Sequence, residues 1–174
     1  MTINQFVGKD GSPYIIRPVH KRDASEIVQA VQSIIDAGRY IQKESVRSIV
    51  EEEAFIEDMR SKNNMYNVVV WNGKIVGIAR VIKGELAMKE HTGVFRTWII
   101  DEAQGLGMGN AIMQTTLQWG KQAGIHKIWL TVFGSNEGAY YLYKKYGFVE
   151  EGIQKKQVKI NQKLDDEIFM AYFF

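Results

Sequence analysis

Apolar positions along the chain switch between two spacings, and the switches mark out elements. Tyr14-Ile15-Ile16-Arg17-Pro18 reads as a first strand closed by proline. Asp23, with Glu26 three residues on, reads as an aspartate form of the capping box. Ile27, Val31, Ile34 and Ile35 follow at helical spacing up to Gly38. A second helix fits Glu44 to about Arg60, with Val46, Ile49, Val50 and Phe55 turned inward. Val68 to Trp71 is a strand, and Asn72-Gly73 is a strong two-residue hairpin signal leading into a return strand from Lys74 to Ile82. Val94 to Ile100 is the next strand. A glycine-rich turn then opens a helix from about Asn110 to Ala123, ended by Gly124. Ile128 to Val132 reads as a buried strand, Glu137 to Tyr146 as a short helix stopped by Gly147, and Phe148 to Ile160 and Ile168 to Phe173 as two final strands. The order β-α-α-β-β-β-α-β-α-β-β predicts an α/β fold with helices covering a sheet. Residues 1–174 read as one domain, with 1–12 as a loose tail.

Composition narrows the function classes. Of 174 residues, 22 are basic and 20 acidic, with no long basic block, so binding driven by neutralising nucleic-acid phosphates is not expected. The polar start has no secretory h-region, and no stretch is apolar enough to span a membrane, so a cytoplasmic protein is expected. With no cysteine, disulfides and thiolate chemistry are ruled out, and His20, His91 and His126 are too scattered to suggest a metal site.

Candidate chemistry concentrates in Gln104-Gly105-Leu106-Gly107-Met108-Gly109-Asn110. Glycine tolerates positive φ and close approach of a ligand, and the helix behind it offers free N–H groups and a positive dipole end. Such a turn is either plain geometry or a cradle for a phosphate or pyrophosphate. It is not a P-loop, because no Lys-Ser/Thr follows, and its spacing is not that of the Rossmann fingerprint.

Gln104-x-x-Gly107-x-Gly109, between a strand and a helix, resembles the acetyl-CoA motif of the GNAT acetyltransferases, Q/R-x-x-G-x-G/A. Asn136-Glu137-Gly138-Ala139-Tyr140-Tyr141-Leu142-Tyr143-Lys144-Lys145-Tyr146-Gly147-Phe148 is similar to a second motif of that family, N-x-x-A-x-x-L-Y-x-K-x-G-F. The resemblance implies a mixed, mostly antiparallel sheet of about seven strands with about four helices and two splayed strands that form an acetyl-CoA cleft. It implies that the backbone of Gly105, Leu106, Gly107, Met108, Gly109 and Asn110 holds the pyrophosphate, beside Gln104. It further implies that Trp98, Ile99 and Ile100 pair with the pantetheine arm like an added strand, that Asn136 contacts the cofactor, and that Tyr143 meets it as the general acid.

The implied activity is transfer of an acetyl group from acetyl-CoA to a primary amine. The ending from Gly147 to Gly152, with Asp166 and Met170, is similar to bacterial members that act on amino acids or polyamines. A catalytically weak acetyl-CoA-binding module and an acetyltransferase of protein N-termini or lysines are the alternatives.

The chain departs from the family at one point. Val94 occupies the place where many relatives carry a glutamate, which leaves Glu85, Glu90, His91 or a bound water to take the proton of the amine. Glu51-Glu52-Glu53 either attracts a cationic amine or forms a solvated helix face. Arg96, expected on the face opposite Trp98, either binds an acceptor carboxylate or solvates its strand. The tyrosines at 140, 141, 143 and 146 are expected mostly to pack their helix on the sheet, and the apolar end from Met170 to Phe174 either finishes the core or forms a dimer contact.

Overall fold

The computed structural model describes residues 3–38, 40–42 and 45–174. Eight strands and four helices follow one another as β1 (Asn4–Val7), β2 (Pro13–Pro18), α1 (Ala24–Asp36), α2 (Ile49–Ser61), β3 (Met65–Trp71), β4 (Lys74–Lys83), β5 (Thr92–Ile99), α3 (Met108–Gln122), β6 (Lys127–Phe133), α4 (Glu137–Lys145), β7 (Val149–Ile160) and β8 (Lys163–Phe173). The strand order is β1-β2-β3-β4-β5-β6-β8-β7. Strands β5 and β6 pair in parallel through Thr92–Val94 and Lys127–Trp129, whereas the β1–β2, β2–β3, β3–β4, β6–β8 and β7–β8 ladders are antiparallel. The mixed, mostly antiparallel sheet expected from the sequence is therefore present.

Two compact units make up the chain: Met1–Ile82 with Arg96–Ile112, and Lys83–Phe95 with Met113–Phe174. In the first, Ile27 and Val31 of α1 and Ile56 and Met59 of α2 pack with Tyr66, Val68, Ile75 and Ile78 of β3 and β4. Each such side chain contributes about 1.5–3 kcal/mol on leaving water. The Asn72-Gly73 turn has φ of 51° and 74°, as a two-residue hairpin of this kind requires. In the second unit, the rings of Phe95, Tyr143, Phe148, Tyr172 and Phe174 form a continuous chain with centroids 4.9–6.2 Å apart. Phe174 lies so close to Gly120 that a Cβ there would come within 2.5 Å of its Cζ. Met170 and Ala171 are buried in this core, whereas Phe173 and Phe174 are 57% and 43% exposed.

Several expectations are corrected. The stretch expected to be loose contains β1, whose Asn4–Val7 pair with Ile16–Pro13 of β2 while Phe6 stacks on Tyr14 at 5.4 Å. Asp10 closes the loop between them by accepting from Ser12 N and Oγ.

Asp23 does not cap α1 with its side chain. Its carboxylate instead takes Arg17 through both oxygens, at 2.7 and 3.0 Å, and His20 N at 2.7 Å. Glu26, its expected box partner, accepts from Ile75 N at 2.7 Å.

The expected start of the second helix, Glu44, lies outside the described residues. Helix α2 begins at Ile49, because Ser48 and Glu51 form a reciprocal capping box. That start turns Ile49 and Val50 outward (45% and 74% exposed) and buries Glu52, Ile56 and Met59. Strand β8 begins at Lys163, five residues before the expected Ile168, after a turn with positive φ at Asn161 and Gln162.

Candidate active site

Strand β5 ends at Ile99, and the chain reaches α3 through a single 3₁₀ turn and the glycine segment. Ile100 N donates to Val76 O at 2.9 Å, which ties the end of the strand to β4. Gly77 lets that happen, since a Cβ there would sit 2.8 Å from Trp98 O and 3.2 Å from Ile99 Cγ1. Buried Ala103 anchors the 3₁₀ turn. The Gln104 amide donates to Ile99 O at 3.1 Å and Asp101 Oδ1 at 3.3 Å, so this side chain braces the turn from within.

Gly105 and Gly107 follow at φ of +78° and +86°. The helix starts immediately afterwards, at Met108, two residues earlier than expected. Met108 itself is buried. The first N–H groups of an α-helix have no intrahelical acceptors, and here they follow two left-handed glycines. Asn110 N donates back to Gly107 O at 3.1 Å.

A Cβ on Gly105 would meet nothing within 4 Å, and one on Gly107 would meet only Lys9, at 3.6 Å from Cγ and 3.8 Å from Cε. The turn therefore has open space over its backbone, beside the helix's positive end, which suits the pyrophosphate of CoA. Lys9 belongs to the β1–β2 loop, which docks on this turn through Lys9 N to Leu106 O at 3.0 Å. Sequence reading did not single out Lys9. The turn-forming glycines and aspartate of Gly8-Lys9-Asp10-Gly11, between the apolar pairs 6–7 and 13–14, were the signal of a hairpin.

The expected site residues fall in the two units. Trp98 to Asn110 run continuously through the first, with Trp98, Ile99 and Ile100 half-buried. Asn136 and Tyr143 are in the second. Asn136 caps α4, its side-chain oxygen accepting from Ala139 N at 3.4 Å. Tyr143 is 8% exposed on α4, edge-on to Phe95 and beside Phe148. The other α4 tyrosines pack less than expected. Tyr141 is 63% exposed, and Tyr140 is hydrogen-bonded to the Glu150 carboxylate, which raises its pKa.

Glu85, Glu90 and His91 all stand exposed around the start of β5. Among the described residues, no group of three His, Asp or Glu is arranged to hold a metal, and no helix is long and apolar enough to cross a membrane.

The acidic run on α2 is neither an open lure for cations nor a uniformly solvated face. Glu51 caps its helix, Glu53 lies 3.6 Å from Lys21 Nζ, and Glu52 is buried, 3.0 Å from Arg47 Nη1. Tyr66 donates its hydroxyl to Glu52 at 2.6 Å. Burial first, and then the charge and hydrogen bond of Glu52, hold the Tyr66 pKa far above its ordinary value, so it stays a donor. Arg96 and Trp98 share a face of β5, as residues two apart on a strand must, which corrects the expectation that they oppose each other.

Residues 31–148 match the Acetyltransferase (GNAT) family. Spermidine N(1)-acetyltransferase of Escherichia coli (strain K12) is 24% identical over 160 residues, covering 91% of this chain and 84% of that protein. The L-amino acid N-acetyltransferase AaaT of the same organism is 29% identical over 104 residues, covering 58% of this chain and 62% of that one. Among solved structures, an acetyltransferase of the GNAT family from Streptococcus pneumoniae superposes with a TM-score of 0.87 at 26% identity, over 92% of this chain and 99% of the other. With more than half of its length matched to the family and its fold shared with a member, the chain belongs to the GNAT family and is an acetyl-CoA-dependent N-acetyltransferase acting on amine substrates.

Proposed function

We propose that the chain acetylates the primary amine of a small molecule, an amino acid or a polyamine-like compound, by direct attack of the amine within a ternary complex. The observation that carries the reading is the open, doubly left-handed glycine turn at the start of α3. In this reading the backbone from Gly105 to Asn110 binds the pyrophosphate, and Lys9 adds a positive charge beside Gly107. The backbone of Trp98, Ile99 and Ile100 pairs with the pantetheine arm. The short parallel ladder between β5 and β6, three residues on each strand, supports that pairing.

Acetyl-CoA supplies an activated thioester, so the amine nitrogen forms a bond to the acetyl carbon, the carbon–sulfur bond breaks, and the nitrogen's proton leaves to water or a base. Tyr143 provides a proton to the departing sulfur. Tyrosine, whose reference pKa is about 10, is a side chain that can bear a proton for such a role. Asn136, whose oxygen is occupied by its helix, has its amide N–H groups left to donate to the cofactor arm.

Titration calorimetry with acetyl-CoA, followed by a thiol-release assay across amino acids, polyamines and peptide amines, tests the proposal. Binding with turnover of a small amine is the expected result. Binding without turnover would support a sensor module instead, and turnover of peptide amines alone would assign the chain to protein acetylation.

A further inference from the structure

In the first unit one buried guanidinium nitrogen, Arg80 Nε, finds no hydrogen-bond partner among the described residues. Arg47 leads into α2 and Arg80 sits on β4, directly across the ladder from Tyr66. Both guanidinium groups pack on the Phe55 ring, with Cζ 3.9 Å from its centroid for Arg47 and 5.0 Å for Arg80. Glu52 serves Arg47, and its second oxygen is taken by the Tyr66 hydroxyl. Arg80 gains less, because its Nε is buried and makes no hydrogen bond.

Burial above all, and then the like charges of Arg47 and Arg96, hold the Arg80 pKa below its usual value, against the opposing pull of Tyr66 and Glu52. A guanidinium nevertheless stays charged at any physiological pH. A buried donor on a cation with no acceptor is costly, so an acceptor brought by a ligand would relieve it. The surroundings indicate the ligand. Trp98, whose backbone is assigned above to the thioester arm, packs on the same apolar cluster as Phe55.

We infer that Arg80, with Arg47 beside it, binds a carboxylate of the acceptor, so that the amine acetylated is that of an amino acid and not of a polyamine. The inference rests on the acetyltransferase reading above and adds the substrate class. The planar fork of a guanidinium matches a carboxylate through two parallel hydrogen bonds. A polyamine offers only further ammonium groups, which the Arg80 guanidinium repels.

The test uses the full-length protein with acetyl-CoA and a thiol-release readout. The twenty common L-amino acids are compared with their carboxamides and with putrescine and spermidine. In parallel, CoA-loaded protein is titrated with the amino acids by calorimetry, which reads binding without chemistry. The expected result is turnover of at least one amino acid, with kcat/KM falling roughly 30- to 1,000-fold on amidation of its carboxylate. Arg80→Gln should raise the amino-acid KM by a similar factor, with acetyl-CoA affinity unchanged, and Arg80→Lys should recover part of the loss.

If CoA-loaded protein binds no amino acid, or if carboxamides or polyamines are acetylated as well as amino acids, the carboxylate assignment is wrong while the acetyltransferase reading stands. Weakened acetyl-CoA binding in Arg80→Gln would move the anion from acceptor to cofactor and equally overturn it. Absence of acetyl-CoA binding in the wild-type protein would instead remove the cofactor reading itself. The carboxamide comparison uses unmodified protein, so misfolding of a variant does not blunt the test.

Discussion

Replacing Gly107 with alanine separates a glycine kept for its turn from one kept for its ligand. The residue sits at φ +86°, in the left-handed region where an L side chain costs about 1–2 kcal/mol. The added Cβ meets no protein atom closer than Lys9 Cγ at 3.6 Å, an ordinary contact, so the variant should fold. For a chain of this size the strain corresponds to a Tm lower by roughly 2–8 °C. If the backbone here carries a phosphate, the methyl group also stands between amide and anion. Loss of one charge-assisted hydrogen bond, about 1.5–3 kcal/mol, weakens acetyl-CoA binding roughly 10- to 150-fold.

Gly124→Ala is the control. Gly124 also has positive φ, +68°, and open space around a built Cβ, but it ends α3 instead of beginning it. Both variants should lose similar stability in calorimetric melts, and only Gly107→Ala should lose affinity in titrations. A dissociation constant for Gly107→Ala within about twofold of wild type, or an equal loss in Gly124→Ala, would refute the placement of the phosphate.

Two further outcomes are expected. Tyr143→Phe keeps the ring that packs on Phe95 and Phe148, and kcat should fall about 100-fold or more while acetyl-CoA affinity stays level. Undiminished turnover would remove Tyr143 as the proton donor. Asp23 supplies a pH dependence. Burial alone would raise its pKa, but the hydrogen bonds from Arg17 and His20 N outweigh it and leave the value below the ordinary 3.8. A lowered carboxylate stabilises the fold fully above its unfolded pKa and loses that contribution as pH falls through the folded one. Melts of the wild type should therefore steepen their decline below about pH 4, and those of Asp23→Asn should start lower and decline less. Parallel pH profiles for the two proteins would show that the Arg17 pair carries no such contribution.

The sequence was most legible where one short-range pattern decides the structure. Asn72-Gly73 fixed a hairpin, the spacing of Ile27, Val31 and Ile34 fixed the buried face of α1, and the strand–glycine–helix order around Gly105 located the left-handed turn before α3. It was least legible where partners lie far apart in the chain. The four residues of β1 are too few to show a period, and they are held by β2 and by the docking of Lys9 on Leu106, about a hundred positions away. Glu52 looked like one third of a solvated acidic face, because nothing beside it in sequence announces that the Tyr66 hydroxyl of β3 donates to it. Arg80 was hidden in the same way, as an isolated cation inside an apolar strand.

That last case also shows what makes such a residue informative once the fold is known. A local pattern has no reason to place a guanidinium between Ala79 and Val81, two of the most buried side chains of β4. Packing does not demand it either, since an apolar residue of similar volume would avoid the orphaned Nε. The arginine contradicts the local rule, and its buried Nε has no hydrogen-bond partner among the described residues. In a protein otherwise consistent from pattern to packing, such exceptions are expected where function imposes them. The glycine turn carries a motif that resembles the family's, while the residue that breaks its strand's pattern is the proposed anchor of the acceptor.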